Sequence, residues 1–365
     1  MKVLITTGGT GGHIYPAIAL ADELKKHYAN SDILFIGNSD RMETEIIPAL
    51  GYRFIGIEAA RFNEANNKLA ALRLLYRSYK KCIGLVSEYL PDVVVGFGGY
   101  VTVPVIMAAV KLGIKTVIHE QNSIAGMANK MLGHFVDKVV TVYPEASPAF
   151  PQNKVVCLGN PRESAVNDFH KDKLMVTEYG LDAARKTVLA VMGSLGSQSV
   201  NEKMKEVINR VKEKPYNLIY VTGKNNYDEF MKDMEESDNV KILPYVDQFR
   251  LAGNVNLIVS RAGATSCCEY MALGAPAIFI PSPYVPNNHQ FINAKSMLDN
   301  GAAMLLEEKD LTPDNLISMI DEVINDDEKL REMGEKARAM SHPNAAEDIV
   351  KLIYETVGKE YERTE

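Results

Sequence analysis

A glycine-rich loop that ends in a histidine follows the first apolar run of the chain. The stretch TTGGTGGHIYP covers residues 6–16 and follows the run VLIT. Glycines let a ligand approach backbone N–H groups closely, and the start of a following helix favours negative charge. At that helix start the dipole disfavours the charged form of His13, and a neutral imidazole can accept a proton. The pattern predicts an anion-binding loop with a candidate general base. A tight turn with a structural histidine explains the same residues.

The stretch matches neither of two familiar phosphate-binding motifs. In the dinucleotide fingerprint the third glycine would fall on Ile14, and in the P-loop the second glycine would fall on His13 with no lysine after it. The loop therefore predicts close backbone approach to a ligand without naming that ligand.

Two further small-residue loops occur in the second half of the chain. GSLGSQS (193–199) offers Ser194 and Ser197, and SRAGATSCCE (260–269) predicts a helix that begins near Ala264. Glu269 lies about one turn into that helix, where a carboxylate can accept bonds from ribose hydroxyls while the helix start meets phosphate. A solvated glutamate near a helix start is the alternative. The chain contains no Asp-x-Asp pair of the kind that chelates a metal diphosphate.

Composition narrows the class of protein. The chain has 365 residues, 46% apolar content and a net charge of −7, which gives no electrostatic case for nucleic acid. Residues 1–160 carry 16 Lys and Arg against 13 Asp and Glu, and the remainder carries 24 against 34. The first half is therefore the better face for an anionic partner such as a phospholipid surface. Four cysteines without metal or disulfide spacing indicate a reducing cytosol, and the N-terminus lacks the apolar core of a signal peptide.

The elements that must position these loops alternate between β-branched runs and helical patterns. This rhythm predicts an α/β fold with parallel sheets covered on both faces, and it restarts after LGNPRES (158–164). We therefore expect two doubly wound, Rossmann-like domains that face each other across a cleft, with ligands at the carboxyl ends of the strands. The eighteen uncharged residues 93–110 fit a strand, a glycine turn and a helix start better than a membrane span. The expected boundaries are 1–160, 161–340 and a last helix, 341–365, that could cross back to the first domain.

A helical segment over residues 68–89 carries an apolar face with basic neighbours. Leu72, Leu75, Tyr76 and Tyr79 share one face at helical spacing, next to arginines and lysines. Such a helix can lie on an anionic bilayer. An ordinary surface helix that packs on its own sheet has the same periodicity.

Taken together, the motifs resemble one family. GGTGGHIYPAIALA, GFGGYVTVP, HEQNSIAGMANK, LGNPRES, SRAGATSCCE and NNHQFINA occur in this order across most of the chain. They closely resemble the lipid II synthases, which are glycosyltransferases of family 28. The resemblance implies a GT-B fold and inverting transfer of N-acetylglucosamine from UDP-N-acetylglucosamine to a lipid I acceptor. It also implies that no metal or other cofactor is needed and that the enzyme is peripheral on the cytoplasmic side of the cell membrane.

The resemblance assigns expected roles to residues of this chain. His13 and Glu120 would be catalytic, and Gly98, Gly99 and Tyr100 would face the acceptor diphosphate. The expected contacts to UDP-N-acetylglucosamine are Thr10, Gly11, Gly12, Asn122, Arg162, Ser194, Val246, Ala264, Thr265, Ser266, Cys267, Cys268, Glu269 and Gln290. Within this set, the backbone of Val246 would hold the uracil edge, Glu269 the ribose and Gln290 the sugar hydroxyls. Met192 and Leu195 depart from the family's usual third glycine loop, which puts the backbone reach of that loop in question.

Three other functions are compatible with the same sequence motifs. These are transfer to a different lipid acceptor, epimerisation of UDP-N-acetylglucosamine at C2, and a non-catalytic scaffold that binds a sugar nucleotide. The presence of both His13 and the donor motif argues against the scaffold.

Overall fold

The computed structural model describes residues 1–28, 30–59, 68–172, 174–193 and 196–361. The chain divides into two compact units. Unit 1 comprises Met1–Ser164 and Asn344–Glu365, and unit 2 comprises Ala165–Pro343. Each unit is built on one parallel sheet with helices packed on it, so the predicted α/β class with two Rossmann-like domains is confirmed.

In the described part of unit 1, the sheet has seven strands in the order β3-β2-β1-β4-β5-β6-β7. These strands are β1 (Lys2–Thr6), β2 (Asp32–Asn38), β3 (Arg53–Ile57), β4 (Val93–Gly96), β5 (Lys115–Glu120), β6 (Lys138–Thr141) and β7 (Val155–Cys157). The helices between them are α1 (Gly11–His27), α2 (Glu43–Ala49), α3 (Lys68–Tyr89), α4 (Thr102–Lys111) and α5 (Met127–Leu132). The sequence pattern predicts most of these elements but not β7, which has only three residues.

The central strand β1 shows why this sheet is covered on both faces. Val3 and Ile5 belong to a core cluster that includes residues of α1, whereas Leu4 belongs to a cluster with residues of α3 and α4. Successive side chains of a strand point to opposite faces, and all three are fully buried. A continuous apolar run is therefore required here rather than an alternating one.

In unit 2, the described strands follow the order β10-β9-β8-β11-β12-β13. They are β8 (Thr187–Val191), β9 (Asn217–Val221), β10 (Val240–Leu243), β11 (Leu257–Ser260), β12 (Ala277–Phe279) and β13 (Ala303–Leu305). Its helices are α6 (Gln198–Val211), α7 (Tyr227–Met231), α8 (Gln248–Ala252), α9 (Ala264–Leu273), α10 (His289–Asp299), α11 (Pro313–Ile324) and α12 (Asp327–Ala339).

The last helix, α13 (Ala345–Thr356), belongs to unit 1. The ring of Tyr354 stacks on that of Tyr28 at the end of α1, with 4.7 Å between ring centroids. The backbone N–H of Ala346 donates to the Ser164 hydroxyl at 3.0 Å. The chain therefore leaves unit 1 near Ser164 and re-enters it beside the same residue.

Residues 93–110 form β4, a glycine turn and the greater part of α4, as predicted. Among the described residues, no helix has the length and apolar character needed to cross a membrane.

The two sheets bring together loops that are distant in the sequence. In unit 1, β1 pairs with β4 so that Thr6 lies opposite Gly96. In unit 2, β8 pairs with β11 so that Val191 lies opposite Ser260. In both sheets these neighbours mark the point where the strand order reverses, which is where open α/β sheets bind ligands.

Candidate functional site

The loop after β1 holds His13 in a defined orientation. His13 is half-buried in the first turn of α1, and its Nδ1 lies 3.1 Å from the carbonyl oxygen of Gly8 and 3.4 Å from the Thr10 hydroxyl. A carbonyl oxygen can only accept, so Nδ1 carries the hydrogen and donates to Gly8. The lone pair of the neutral ring is therefore on Nε2, which is the atom that can accept a proton.

The loop after β4 packs against this histidine loop. Gly98 and Gly99 have φ angles of +92° and +86°, a region that glycine adopts without steric cost. A Cβ atom on Gly98 would lie 3.1 Å from His13 Nε2, and one on Gly99 would lie 2.6 Å from the Gly8 carbonyl oxygen. Close approach therefore requires glycine at position 99, whereas a Cβ atom at position 98 would displace the His13 ring. Tyr100 follows them and is half-buried.

Glu120 lies at the end of β5 and is 1% exposed. Its Oε1 accepts from the Asn122 backbone at 3.0 Å and side chain at 3.2 Å, and its Oε2 accepts from Gly126 N at 2.9 Å and Asn129 Nδ2 at 3.0 Å. Both oxygens are thus engaged by N–H donors of the loop that follows. We interpret Glu120 as the residue that holds this loop, and Asn122 with it, in place.

His119 is a fully buried histidine of this region that the sequence motifs do not single out. Its Nε2 lies 3.0 Å from the Gly159 carbonyl oxygen, and its ring stacks on Phe97 with 5.1 Å between centroids. Burial lowers the pKa of His119 to about 4, with a smaller lowering by His13. The ring is therefore neutral near pH 7, and its apolar surroundings explain why.

In unit 2, the helix α9 begins at Ala264, as predicted, with Gly263 as its N-cap residue. The first-turn N–H groups of such a helix can bind an anion. Thr265 and Ser266 are half-buried there, and Ser266 Oγ accepts from Gln248 Nε2 at 3.0 Å. Glu269 is 7% exposed, so it is not the solvated glutamate that sequence analysis kept as an alternative.

Cys267 and Cys268 do not present their side chains to a ligand in this structure. Both are fully buried within α9, and the backbone N–H of Cys267 already donates to the Gly263 carbonyl. The thiols therefore belong to the packed face of the helix, and the expected donor contacts at these two positions stay predictions.

The third glycine loop joins β8 to α6. Ser194 and Leu195 lie outside the described residues. Met192 is 3% exposed and packs in the apolar core of unit 2, so its side chain points away from the loop. Gly196 has a φ of +73°, and a Cβ atom there would overlap with the Thr222 carbonyl oxygen.

A buried ion pair, which sequence analysis did not predict, connects this loop to the others. Arg261 Nη2 lies 2.6 Å from Glu308 Oε2, and both side chains are 9% exposed. The same Arg261 nitrogen donates to Ser197 Oγ at 2.9 Å, and Ser199 Oγ donates to Glu308 Oε1 at 2.7 Å. Residues on three loops of unit 2 are therefore held in one polar network.

The remaining expected donor contacts lie on different elements of the chain. Val246 is 7% exposed, just beyond β10. Gln290 lies in the first turn of α10, where its Oε1 accepts from Ser282 N at 2.9 Å, so its amide nitrogen is the group it can offer. Arg162 is half-buried in unit 1, and its backbone N–H donates to Asn160 Oδ1 at 3.0 Å.

The four apolar residues predicted to share one face of α3 differ in their solvent exposure. Leu72 and Tyr76 are 53% and 56% exposed, whereas Leu75 is half-buried and Tyr79 packs against the core of unit 1. The exposed part of the predicted membrane face is therefore Leu72 and Tyr76, whereas Tyr79 is partly buried against the core. Lys80 Nζ lies 4.8 Å from the ring centroid of Tyr76.

Within the described ranges, no group of three or more metal-ligating side chains is placed to hold a metal ion.

Comparisons with known proteins match both units. Residues 3–141 match the model of the glycosyltransferase family 28 N-terminal domain, and residues 187–349 match the C-terminal domain of the same family. A curated relative from Lactobacillus acidophilus is named UDP-N-acetylglucosamine–N-acetylmuramyl-(pentapeptide) pyrophosphoryl-undecaprenol N-acetylglucosamine transferase. It is 40% identical, with 97% of this chain and 99% of the relative covered.

Solved structures agree with the fold. MurG from Acinetobacter baumannii superposes with a TM-score of 0.78 at 29% identity, and the match covers 97% of this chain and 99% of that one. A UDP-GlcNAc 2-epimerase from Neisseria meningitidis has a TM-score of 0.68 at 15% identity, covering 97% and 100%. At that identity the second likeness concerns the architecture alone.

Proposed function

Because the chain belongs to glycosyltransferase family 28, we propose that it catalyses the transfer for which its curated relative is named. It moves N-acetylglucosamine from UDP-N-acetylglucosamine to the C4 hydroxyl of N-acetylmuramyl-(pentapeptide)-pyrophosphoryl-undecaprenol, which is lipid I. The anomeric centre inverts, and the products are lipid II and UDP.

The observation that carries this proposal is the orientation of His13. The bond from its Nδ1 to Gly8 leaves Nε2 as the basic atom, beside the Gly98 backbone. In our proposal Nε2 takes the proton of the acceptor hydroxyl as that oxygen bonds to the anomeric carbon. The bond between this carbon and the diphosphate oxygen breaks, and the electron pair leaves with UDP. A hydroxyl is a weak nucleophile, so a positioned base contributes about 10²–10⁴ in rate.

We further propose that unit 2 binds the donor. The start of α9 offers N–H groups to the diphosphate, whose charge grows as UDP leaves. Glu269 would accept the ribose hydroxyls, and the amide of Gln290 would contact the sugar. Asn122 in unit 1, which Glu120 holds in place, is a further proposed contact to the donor.

The exposed residues of α3 support a membrane location for the same enzyme. Leu72 and Tyr76 offer apolar surface next to the exposed Arg73 and Arg77. Apolar burial combined with cationic contacts is how a helix lies on an anionic bilayer. We propose that this part of α3 contacts the cytoplasmic side of the cell membrane, where a lipid-linked acceptor resides.

A labelled-donor assay tests the activity against its alternatives. The protein is incubated with radiolabelled UDP-N-acetylglucosamine, with and without lipid I. Label in lipid II supports the proposal, whereas an epimerised sugar nucleotide, transfer only to another lipid, or binding without turnover would each overturn it.

The role of His13 is tested in the same assay. We expect His13→Ala to lower kcat by about 10²–10⁴ while donor affinity stays nearly unchanged, because the imidazole acts on the acceptor. His134→Ala is the matched control, since that histidine is exposed in the same unit. Near-normal turnover of His13→Ala would exclude it as the base.

A further inference from the structure

Glu43 is a buried carboxylate that the proposed reaction does not yet use. It is 0% exposed at the first position of α2. Its Oε1 accepts from Asn38 N at 3.0 Å, from Asn38 Nδ2 at 2.6 Å and from Gly9 N at 3.2 Å, and its Oε2 lies 3.3 Å from Gly9 N. Each of these partners is an N–H donor, which is the pattern of an ionised carboxylate.

The N–H dipoles around Glu43 stabilise its negative charge. Within the described ranges, no lysine, arginine or histidine lies within ion-pair distance of this carboxylate. The start of α2 and the surrounding N–H groups compensate it instead. Among the described residues, the negative charge is therefore not neutralised by a cation, and it can act on the groups bonded to it.

One peptide group joins Glu43 to His13. The N–H of Gly9 donates to Glu43, and the C=O of the same peptide unit, that of Gly8, accepts from His13 Nδ1 at 3.1 Å. The two groups of a trans peptide point in opposite directions across a rigid plane. The carboxylate and the imidazole thus lie at opposite ends of one dipole, and hydrogen bonds in such a chain strengthen each other.

The neighbouring residues leave this peptide little freedom. A Cβ atom on Gly8 would overlap with Glu43 Oε1 and Asn38 Nδ2, and a Cβ on Gly99 would lie 2.6 Å from the Gly8 carbonyl oxygen. Only glycine at both positions allows the carboxylate, the peptide and the loop after β4 to pack together. The arrangement is therefore specified by sequence at several points.

We propose that Glu43 is a positioning residue for the transfer reaction, which acts through the Gly8–Gly9 peptide to fix the tautomer of His13 and make its Nε2 a stronger base. The inference rests on the proposed function of His13. The arrangement is a carboxylate–imidazole pair in which one peptide group lies between the two side chains. The proton that His13 Nε2 accepts is still the one released by the acceptor hydroxyl.

Other titratable groups surround His13, and they are unchanged in the variants below. His119 on β5 is neutral because burial lowers its pKa to about 4. Asn129, which lies beside Gly98, donates to Glu120 at the end of β5. Tyr15 on α1 and Tyr100 in the loop after β4 are further titratable side chains of the elements that carry this site.

Glu43→Gln isolates the charge. A glutamine oxygen in the place of Oε1 keeps the bonds from Asn38 and Gly9, so the variant removes charge with little change of shape. Glu45→Gln is the matched control, because it removes one exposed charge from the same helix. Circular dichroism and calorimetric titration with UDP establish that each variant is folded and binds nucleotide.

We expect Glu43→Gln to lower kcat by about 10–100-fold, the usual effect of losing a group that orients a functional imidazole, with both KM values within about twofold. The acidic limb of the kcat profile should move to lower pH, because the His13 imidazolium loses a stabilising charge. Glu43→Asp keeps the charge and should retain the wild-type limb. Loss of kcat with an unmoved limb would mean a structural role only, and an unchanged kcat would also overturn the proposal.

Nuclear magnetic resonance titration of His13 separates this inference from the proposed function. The pKa of His13 in the ligand-free protein should fall in Glu43→Gln and stay in Glu45→Gln, whatever reaction the enzyme catalyses. An unshifted His13 would refute the link to Glu43 even where transfer is observed. Absent transfer in the wild type would refute the proposed function while leaving the titration interpretable.

Discussion

A methyl group on Gly98 should damage catalysis more than stability. A Cβ atom there would lie 3.1 Å from both Nε2 and Cδ2 of His13. Since carbon contacts are optimal at about 3.5–4.0 Å, the ring must move by roughly 0.5 Å. A displacement of about 1 Å at a reacting group costs on the order of 10² in rate, so Gly98→Ala should lower kcat about tenfold.

Gly51→Ala is a control for the backbone strain that Gly98→Ala introduces. Gly98 has a φ of +92°, and Gly51 has a φ of +80° with no atom within 4 Å of an added Cβ. An alanine in this region costs about 1–2 kcal/mol at either position. Both variants should therefore lose about 2–8 °C in melting temperature, which thermal unfolding followed by circular dichroism will measure.

Steady-state kinetics with lipid I then separate the two variants. Gly51→Ala should keep kcat within about twofold of wild type, and Gly98→Ala should show the tenfold loss with an unchanged KM for the donor. If the two variants had the same kcat, the close contact between Gly98 and His13 would have no part in the reaction, and the argument from geometry would fail.

Three further results are expected. Glu269→Ala should weaken UDP-N-acetylglucosamine binding by about 10-fold or more, because the proposed acceptor of the ribose hydroxyls is lost, and unchanged affinity in calorimetry would refute the ribose role. Replacing Leu72 and Tyr76 by serine should reduce co-sedimentation with anionic vesicles without lowering the melting temperature, and equal binding would remove α3 from the membrane contact. His119 has a folded pKa of about 4 against 6.5 when unfolded, so the unfolded state binds the extra proton and stability should fall as pH drops from 6.5 to 4, by up to about 3 kcal/mol. Urea unfolding of wild type and His119→Gln across that range will measure this slope, and equal slopes would contradict it.

Much of the fold could be predicted because its elements carry strong local patterns. Runs such as VVVG and LIVS are short, β-branched and bounded by glycine or polar loops, and they form β4 and β11. Boundaries were less certain. The helical pattern of α1 is recognisable in the sequence only from about Tyr15, whereas the helix begins at Gly11, because two glycines of low helix propensity form its first turn and still adopt helical geometry.

The candidate site was predictable only where residues lie close together in sequence. His13 and the Gly98–Gly99 pair could be identified as small-residue motifs after strands. Glu43 could not, because a glutamate at a helix start normally predicts a solvated side chain, and its partner Gly9 is 34 residues away. Arg261 and Glu308 are also far apart in the sequence, so their ion pair could not be predicted for the same reason.

Periodicity also failed to determine which face of α3 is buried. Leu72 and Tyr79 share the predicted apolar stripe, yet one is exposed and the other packs on the core. Helical spacing shows which residues share a face of the helix. Which face is buried depends on where the sheet and the other helices lie, and the spacing does not contain that information.

The return of the chain to Ser164 has a consequence for folding order. Unit 2 is inserted between two segments of unit 1, and α13 contributes buried side chains such as Ile349 and Ile353 to the core around α1. During synthesis unit 2 can therefore be completed before unit 1 has its last helix. Within unit 2, Asn167 Nδ2 donates to the Pro343 carbonyl at 2.9 Å, so its two ends are adjacent. Residues 165–343 should be separable as a self-contained folding unit, whereas residues 1–164 alone would emerge with one face of their sheet incompletely covered.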